Sequence, residues 1–507
     1  KARKQPDKVQ QVFEKVRSDG VYSAFDAVRT KLSQPMPLGY CNVGTVVAVG
    51  SGVSGFQVGD RVVSNGSHSE LVSVPHHLSA LIPSLVSDEV AVFTVLSSIG
   101  LQGIRLANPT LGETFVVSGL GLIGLLTCQL LVSHGCRVFG LDPDPSKCAL
   151  AESFGITSLQ LSSGTDPVAW CLDHTGGVGV DGVLITAATS SSEPVHVAAQ
   201  ICRQRGRIVL VGVTGLELRR DLFYKKEISF QVSCSYGPGR YDPSYEQHGF
   251  DYPIGFVRWT EQRNFQAVLH AMSSGALCTE ALISHRFSID QAADAYELLG
   301  SSKFSNGILL QYPGTVDPEE RSIALSAKPV YSPATRPGQP SLGVIGVGNY
   351  ASRMLIPAFV KAGARLQIIA SSRGTGPVYV GRKYGFRHAS TDVLSVINDS
   401  SCNTVVIATR HDSHAKLVRQ ALAAGKHVFV EKPLCLTADE LSAIEMAYTG
   451  EQHLMVGFNR RFAPLLVEFK KLLNRLSGPK AFVYTCNAGS IPADHWTQDK
   501  SLGGGRL

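Results

Sequence analysis

Two glycine-rich turns lie more than two hundred residues apart in this 507-residue chain, and each sits between an apolar run and an apolar helix-like stretch. The first spans 116–124 (VVSGLGLIG) and the second 343–351 (GVIGVGNYA). In such a turn the first glycine permits the tight bend, the second lets the backbone approach a pyrophosphate, and the third position packs the helix on the strand. The phosphate then meets unpaired N–H groups at a helix start. Because both turns have this strand–turn–helix context, we predict two dinucleotide-binding sites.

The composition excludes several other classes of protein. The net charge of +6 is scattered along the chain, whereas nucleic-acid binding requires a clustered basic face. The eleven cysteines include no C-x-x-C pair, and this pattern favours reduced thiols and a cytoplasmic location. No secretory signal is visible, and the uncharged stretch 115–133 is better explained as strand, turn and helix than as a membrane span.

Alternating strand and helix patterns define two halves. Strands are predicted in the first half at 137–141, 182–186 and 207–211, and in the second half at 366–370, 404–408 and 427–430. This alternation is typical of βαβ units in parallel sheets. Residues 313–340 contain six prolines and little periodicity, so we predict a linker there. We therefore predict an α/β chain with two Rossmann-type, doubly wound parallel sheets.

The first half resembles the medium-chain dehydrogenase/reductase superfamily of alcohol-dehydrogenase-like enzymes. Three motifs carry the resemblance: GTVVAVG at 44–50, VGDRV at 58–62 and the first glycine turn. The resemblance implies a GroES-like β domain split around the Rossmann domain. It assigns 1–87 to the β domain, completed by 285–312, and 88–284 to the first Rossmann domain.

The cofactor of this half is expected to be NAD. Asp142 lies 18 residues after Gly124, at the end of the next strand. A carboxylate there accepts hydrogen bonds from the ribose and repels a 2′-phosphate. The alternative is that Asp142 merely begins a turn with Pro143 and Asp144. The residues predicted to bind this dinucleotide are Gly119, Gly121, Leu122, Ile123, Gly124 and Asp142.

The first half departs from the zinc enzymes of the superfamily. Where they carry Gly-His-Glu, this chain has Gly39-Tyr40-Cys41, and the four-cysteine structural lobe is missing. A catalytic zinc needs three protein ligands, and Cys41 with His68, His76 and His77 at their spacing does not supply them. We predict no zinc and a packed Cys41 thiol. Tyr40 is a candidate proton donor, although a structural role is the commoner one for such a residue.

The second half resembles the glucose–fructose oxidoreductase/inositol dehydrogenase family. The specific signature is VEKP at 430–433, supported by ATRHDSH at 408–414 and GFNRRF at 457–462. The resemblance implies a Rossmann domain over 341–457 and a C-terminal α+β substrate or dimerisation domain over 458–507. That last domain is expected to be incomplete, since the chain stops at a glycine turn, and we expect a fragment at both ends.

By the same resemblance, Lys432 is the acid/base that faces the carbon exchanging hydride, where a hydroxyl interconverts with a carbonyl. The alternative is a surface lysine at a helix start. Asp494 and His495 could complete this site, although a structural role for their loop is equally compatible with the sequence.

The second dinucleotide is expected to be NADP, with NAD as the alternative. Ser371, Ser372 and Arg373 stand where the first half has an acid, and hydroxyls with a guanidinium suit a 2′-phosphate. The residues assigned to this cofactor are Gly346, Gly348, Asn349, Tyr350, Ala351, Ser372, Arg373, Thr409, His414, Glu431 and Pro433.

The order of the parts is similar to that of bi-domain oxidoreductases. This similarity implies two hydride transfers on a sugar or sugar-nucleotide-like substrate, and a possible homodimer. Two other hypotheses remain: one half is a silent dinucleotide sensor, or the chain is an inactive truncated form.

Overall fold

The computed structural model of the protein describes residues 36–301, 304–314, 317, 320–325, 339–372, 374–483, 485, 491 and 495–505. Described residues from 37 to 314 form one compact unit, and those from 317 onward belong to a second. Residues 1–35, at the start of the predicted β domain, lie outside the described residues.

A six-stranded parallel sheet forms the centre of the first unit, in the order β6-β5-β4-β7-β8-β9. Its strands are β4 (Thr114–Ser118), β5 (Arg137–Asp142), β6 (Thr157–Gln160), β7 (Val180–Ile185), β8 (Cys202–Leu210) and β9 (Ser229–Val232). The chain runs outward from β4 in one direction and then returns to β7 on its other side. This reversal makes the carboxyl ends of β4 and β7 the switch point where ligands bind in such sheets.

Helices cover both faces of this sheet. Phe115 and Val117 of β4 belong to one buried apolar cluster and Val116 to another, as expected when successive side chains point to opposite faces. The helices of the unit are α1 (Asp88–Ala91), α2 (Thr94–Ala107), α3 (Leu122–Ser133), α4 (Pro145–Ser153), α5 (Pro167–His174), α6 (Glu193–Ile201), α7 (Arg220–Tyr224), α8 (Pro243–Glu246), α9 (Glu261–Ser273) and α10 (Ala292–Gly300).

Two small sheets complete the first unit. One is antiparallel and contains β1 (Asn42–Thr45), β2 (Arg61–Ser64) and β3 (Ser79–Leu81). The other pairs β10 (Ile283–Ser288) with β11 (Gly307–Gln311) in parallel. Arg286 of β10 binds Glu89 of α1 through both oxygens, at 2.9 and 2.7 Å, so the late strand pair is attached to the segment that follows the first small sheet.

The second unit contains a seven-stranded sheet in the order β12-β15-β14-β13-β16-β17-β18. Its strands are β12 (Ser322–Ala324), β13 (Ser341–Ile345), β14 (Arg365–Ala370), β15 (His388–Ser390), β16 (Thr404–Ile407), β17 (His427–Val430) and β18 (Leu454–Val456). All neighbouring pairs are parallel except β12 with β15. The two sheets therefore confirm the predicted α/β class.

The helices of the second unit follow the strands in the same alternation. They are α11 (Ile356–Lys361), α12 (Thr375–Tyr384), α13 (Val393–Asn398), α14 (His414–Ala423), α15 (Ala438–Ala447) and α16 (Pro464–Leu473). A π-helical turn, Ala351–Leu355, runs directly into α11.

Strand β12 lies inside the interval predicted as a linker. Ser322 pairs with Ser390 in the backbone register, and their hydroxyls are 2.8 Å apart. This part of 313–340 is an antiparallel edge strand rather than linker, because its backbone is paired with β15. Three residues are too few for the alternation of polar and apolar side chains to indicate a strand.

Candidate functional site

The first glycine turn joins β4 to α3 at the switch point. Gly119 has φ +101°, and a methyl group there would lie 2.7 Å from the amide nitrogen of Ala187. A methyl group at Gly124 would overlap the carbonyl oxygen of Gly119, whereas one at Gly121 would contact nothing within 4 Å. The first and third glycines are therefore required for packing, and the second leaves an open surface at the start of α3.

The start of α3 can receive an anion. Leu122 and Ile123 form its first turn, and the residue before it, Gly121, provides no side-chain cap. The first N–H groups of a helix have no partner within it, so a pyrophosphate can accept hydrogen bonds from them. The residues present fit the phosphate part of a dinucleotide.

Asp142 makes structural hydrogen bonds at this turn. Its Oδ2 accepts from the Leu120 amide at 2.7 Å, and its Oδ1 accepts from the Asp144 amide at 2.9 Å. The side chain is buried, and it connects the end of β5 to the glycine turn. The sequence analysis gave a turn with Pro143 and Asp144 as the alternative role of Asp142, and the hydrogen bond from the Asp144 amide shows that this turn is formed. Each carboxylate oxygen has a second lone pair, so a ribose contact is compatible with these bonds.

The second glycine turn repeats this geometry. Gly346 has φ +102°, and a methyl group there would overlap the Ala408 carbonyl, whereas one at Gly348 would contact nothing within 4 Å. The third position is Ala351, which is buried. The Tyr350 hydroxyl accepts a hydrogen bond from Asn459 Nδ2 at 2.7 Å, which connects this turn to the segment after β18.

The residues predicted to select NADP are only partly described. Ser372 is exposed, at the carboxyl end of β14, and Arg373 lies outside the described residues. The Ser371 amide donates to the Ser390 carbonyl at 3.2 Å. The predicted NADP preference therefore remains a prediction.

Glu431, Lys432 and Pro433 leave the carboxyl end of β17. The Glu431 amide donates to the Ile407 carbonyl at 2.9 Å, which places this segment beside the end of β16. Lys432 is exposed. Burial raises the pKa of Glu431, and the backbone N–H and charge of Lys432 oppose this shift. Glu431 Oε1 is buried without a hydrogen-bond partner among the residues that the structure describes.

His414 is buried, and its ring connects the Pro433 segment with the end of β16. It is fully buried, with Nδ1 2.6 Å from the Pro433 carbonyl and Nε2 3.3 Å from the Thr409 carbonyl. Burial lowers the pKa of His414, so the neutral ring donates its one proton to a carbonyl. Both ring nitrogens face backbone oxygens, and the predicted contact of His414 with the cofactor stays a prediction. Thr409 is half-buried, with its hydroxyl 2.6 Å from that of Ser413.

The last described segment, 495–505, packs against the loop after β16. His411 Nδ1 lies 2.8 Å from the Gly503 carbonyl, and the Asp412 amide donates to the Leu502 carbonyl at 3.2 Å. The Trp496 ring meets the His411 ring edge-on, with centroids 4.8 Å apart. The sequence analysis missed this pair, although His411 lies in the motif at 408–414 and Trp496 directly follows His495.

Of the predicted catalytic pair in this segment, Asp494 lies outside the described residues and His495 is exposed. His495 Nδ1 lies 2.8 Å from the Thr497 hydroxyl. The segment returns to the carboxyl edge of the sheet from which Lys432 emerges, but a catalytic role for His495 stays a prediction.

Cys41 and its neighbours lie beside α2 in the first unit. Burial raises the pKa of the Cys41 thiol to about 12, and a hydrogen bond with the Leu96 backbone partly opposes this. Burial and Cys41 together raise the pKa of Tyr40. A methyl group at Gly39 would overlap the His68 ring, whereas His77 stacks on Tyr245 with ring centroids 4.0 Å apart. Within the described ranges, no group of three His, Cys, Asp or Glu side chains lies close enough together to hold a metal ion.

Three family models match separate parts of the chain. They are an alcohol dehydrogenase GroES-like domain over 14–84, a zinc-binding dehydrogenase over 123–247, and an oxidoreductase family with an NAD-binding Rossmann fold, described as GFO_IDH_MocA, over 341–458. The chain combines domains of two oxidoreductase families. This confirms the predicted fusion of an alcohol-dehydrogenase-like unit with a glucose–fructose oxidoreductase/inositol dehydrogenase unit.

Individual relatives match each half. D-guloside 3-dehydrogenase of Escherichia coli is 28% identical over 269 residues, which are 51% of this chain and 72% of that protein. Inositol 2-dehydrogenase of Rhizobium meliloti is 31% identical over 133 residues, which are 26% of this chain and 40% of that protein. Among solved structures, galactitol-1-phosphate dehydrogenase of Escherichia coli has 21% identity and a TM-score of 0.47, over 55% of this chain and 86% of that one.

In the described part of the chain, every helix is too short or too polar to traverse a bilayer.

Exchanging the second and third glycines of the first turn for alanine should separate cofactor binding from folding. Gly121→Ala should leave the melting temperature unchanged and weaken NADH binding at least tenfold, because its methyl group projects into the open surface. Gly124→Ala should lower the stability of the first unit by about 1–3 kcal/mol, since the added methyl group meets the Gly119 carbonyl. Calorimetric melting and NADH titration measure both effects. Undiminished NADH stoichiometry and affinity in Gly121→Ala would place the cofactor elsewhere.

Proposed function

We propose that the chain is an oxidoreductase with two dinucleotide sites, which transfers hydride to or from a hydroxyl or carbonyl carbon of a sugar or sugar-nucleotide-like substrate. The observation that carries this proposal is the repeated turn geometry: in each unit the first glycine is constrained by packing and the second is open. Two relatives, named for dehydrogenation of a D-guloside and of inositol, support a polyhydroxylated substrate.

In the second unit, we assign proton transfer to Lys432. When bound, a nicotinamide supplies or accepts hydride at the reacting carbon. Lys432 follows the carboxyl end of β17. It would hold the proton that the substrate oxygen gains or loses. Glu431, next to it, presents a buried oxygen without a described partner, to which a donor group of the dinucleotide could bind. The Pro433 carbonyl lies 2.6 Å from His414 Nδ1, and this hydrogen bond orients the segment.

In the first unit, we propose NAD as cofactor and chemistry without zinc. Among the described residues no three His, Cys, Asp or Glu side chains are grouped to hold a metal ion, and a catalytic zinc needs three protein ligands. Metal analysis of the purified protein tests this assignment. One zinc ion per chain, with activity lost on chelation, would refute it.

Replacing Asp142 with asparagine should lower the preference of the first unit for NAD over NADP at least tenfold. The variant removes the negative charge that repels a 2′-phosphate but keeps one oxygen to accept a backbone hydrogen bond. The ratio of the two dissociation constants is the measurement. Asp144→Asn is the matched control, since it removes the same charge two residues away, where the side chain caps α4 by accepting from Ser146. An equal shift in both variants would assign the effect to overall charge.

Calorimetric titration with NADH and then NADPH tests the two-site proposal. Two sites with opposite preferences would support it, and coupled oxidation and reduction of one substrate would then be possible without net cofactor consumption. Binding of two dinucleotides with turnover at one site only would instead favour a sensory role for the silent half.

A further inference from the structure

The start of strand β12 lies at the ligand-binding edge of the second sheet. Because β12 is antiparallel to β15, its first residue pairs with the last residue of that strand, Ser322 with Ser390. Ala370, at the end of β14, stands in the same row. Ligands bind outside the carboxyl ends of the strands in such sheets. The residues that precede β12 therefore lie at the edge from which the second glycine turn leaves.

Arg321 is held at this edge by its backbone. Its carbonyl accepts hydrogen bonds from the Thr391 amide and the Ser390 hydroxyl, both at 2.9 Å. On the other side of β15, the Ser371 amide donates to the Ser390 carbonyl at 3.2 Å. One strand thus separates Arg321 from Ser371, and two strand spacings place their backbones about 10 Å apart.

A cavity of about 580 Å³ opens beside Arg321. Its volume lies within the range of small-molecule and cofactor sites. The Arg321 side chain is exposed, and in the part of the chain that the structure describes it forms no ion pair. The cavity is lined by Glu320, Arg321, Ser322, Asp392 and Leu394.

The cavity lies on the side of the sheet toward which the adenosine half of a dinucleotide points. The pyrophosphate is expected at Gly348, in the turn after β13, and the residue after the next strand contacts the adenosine ribose in such sheets. That next strand is β14, with Ser371 and Ser372 directly after it. Strands β15 and β12 follow in the same direction, so the sheet leads from the glycine turn to the cavity.

We propose that Arg321 binds the 2′-phosphate of NADP in the second unit and so selects this cofactor over NAD. The inference rests on the proposed function, whose second dinucleotide site it deepens. A phosphate monoester carries about 1.5–2 negative charges at neutral pH. The planar guanidinium donates to two of its oxygens at once. Ser372, exposed at the end of β14, supplies a hydroxyl from the neighbouring strand.

The two carboxylates of the cavity act differently on such a ligand. Asp392 Oδ1 accepts from the Leu394 amide at 2.9 Å, so this side chain is held as the cap of α13. Glu320 is exposed and lines the same cavity as Arg321, where its charge repels a phosphate. Removing the charge of Glu320 should therefore strengthen NADPH binding, whereas removing that of Arg321 should weaken it.

Fluorescence titration of the full chain with NADPH and NADH tests the assignment, in the Gly121→Ala background that weakens binding by the first unit. We expect Arg321→Ala to raise the Kd of NADPH at least about tenfold, the usual cost of losing a hydrogen bond between charged groups. The Kd of NADH should change less than about twofold, because NADH lacks the 2′-phosphate. Arg321→Lys should retain most of the preference, since it keeps the charge.

Two further variants serve as controls. Glu320→Gln should lower the Kd of NADPH about twofold at low salt, and less at high salt, because its charge is exposed. Arg387→Ala removes the same charge at the opposite end of the β12–β15 pair, where the Arg387 carbonyl accepts from the Leu325 amide, and should leave both constants unchanged. The melting temperature should be that of the parent in every Arg321 variant, since the backbone of Arg321 makes the bonds that hold β12.

The outcomes separate this inference from the function on which it rests. Binding of only one dinucleotide per chain by the unmodified protein would refute the two-site function. Two bound dinucleotides with an unchanged ratio of the two constants in Arg321→Ala would overturn the assignment of Arg321 alone. An equal shift in Arg387→Ala, or a second unit that binds NADH more tightly than NADPH, would overturn it as well.

Discussion

Replacing Lys432 with alanine is expected to lower kcat of the second unit by about 10²–10⁴-fold, the usual contribution of a positioned acid or base. NADPH affinity should change no more than about threefold, because the glycine turn and Glu431 remain. Lys432→Arg should be nearly as inactive, since a guanidinium keeps the charge but does not release its proton in proteins. This pair separates proton transfer from electrostatic stabilisation.

The measurement uses the Gly121→Ala background, which reduces turnover by the first unit, and the sugar that the unmodified protein oxidises fastest. Lys416→Ala is the matched control, since Lys416 is an exposed lysine of α14 in the same domain. Activity in Lys432→Arg close to that of the parent protein would show that the position requires charge alone. Equal losses of NADPH binding and kcat in Lys432→Ala would assign the lysine to the cofactor.

The features that the sequence predicted well are those fixed by local chemistry. Strand β17 has the predicted bounds, 427–430, and β14 begins one residue earlier than predicted. Buried parallel strands are short apolar runs with turns at their ends, so their positions are visible in the sequence. The glycine turns are equally local, since a positive φ at Gly119 and Gly346 restricts the residue type directly.

Features that depend on pairing across the chain were missed. Strand β12 is defined by its register with β15, about 66 positions later, and nothing in Ser-Ile-Ala indicates an edge strand. His414, the last residue of the motif at 408–414, was assigned to the cofactor by resemblance, and its hydrogen-bond distance to the Pro433 carbonyl, 19 residues later, could not be seen in the sequence. The burial of Glu261 is of the same kind. In sequence it is an ordinary acid in the first turn of a helix capped by Thr260, and only the packing of residues 233–260 around that turn removes it from water.

Glu261 should make the stability of the first unit depend strongly on pH. Its pKa is about 8 in the folded protein, raised first by burial, against 4.5 when it is exposed in the unfolded chain. Between these values the unfolded chain releases a proton that the folded protein keeps. The free energy of unfolding therefore falls as the pH rises from about 5 to 8, and the contribution is complete above pH 8. A shift of this size corresponds to a loss of up to about 5 kcal/mol.

Urea unfolding of the full chain and of Glu261→Gln, from pH 5 to pH 8.5, measures this contribution. The variant cannot ionise, so the difference in unfolding free energy between it and the parent isolates Glu261 from every other titrating group. We expect the variant to gain stability relative to the parent with each pH unit up to about 8, and then to keep a constant advantage. A difference that does not vary with pH would mean that Glu261 is ionised in the folded protein. In that case Arg240, which forms an ion pair with Glu246, would have to leave that partner to neutralise Glu261.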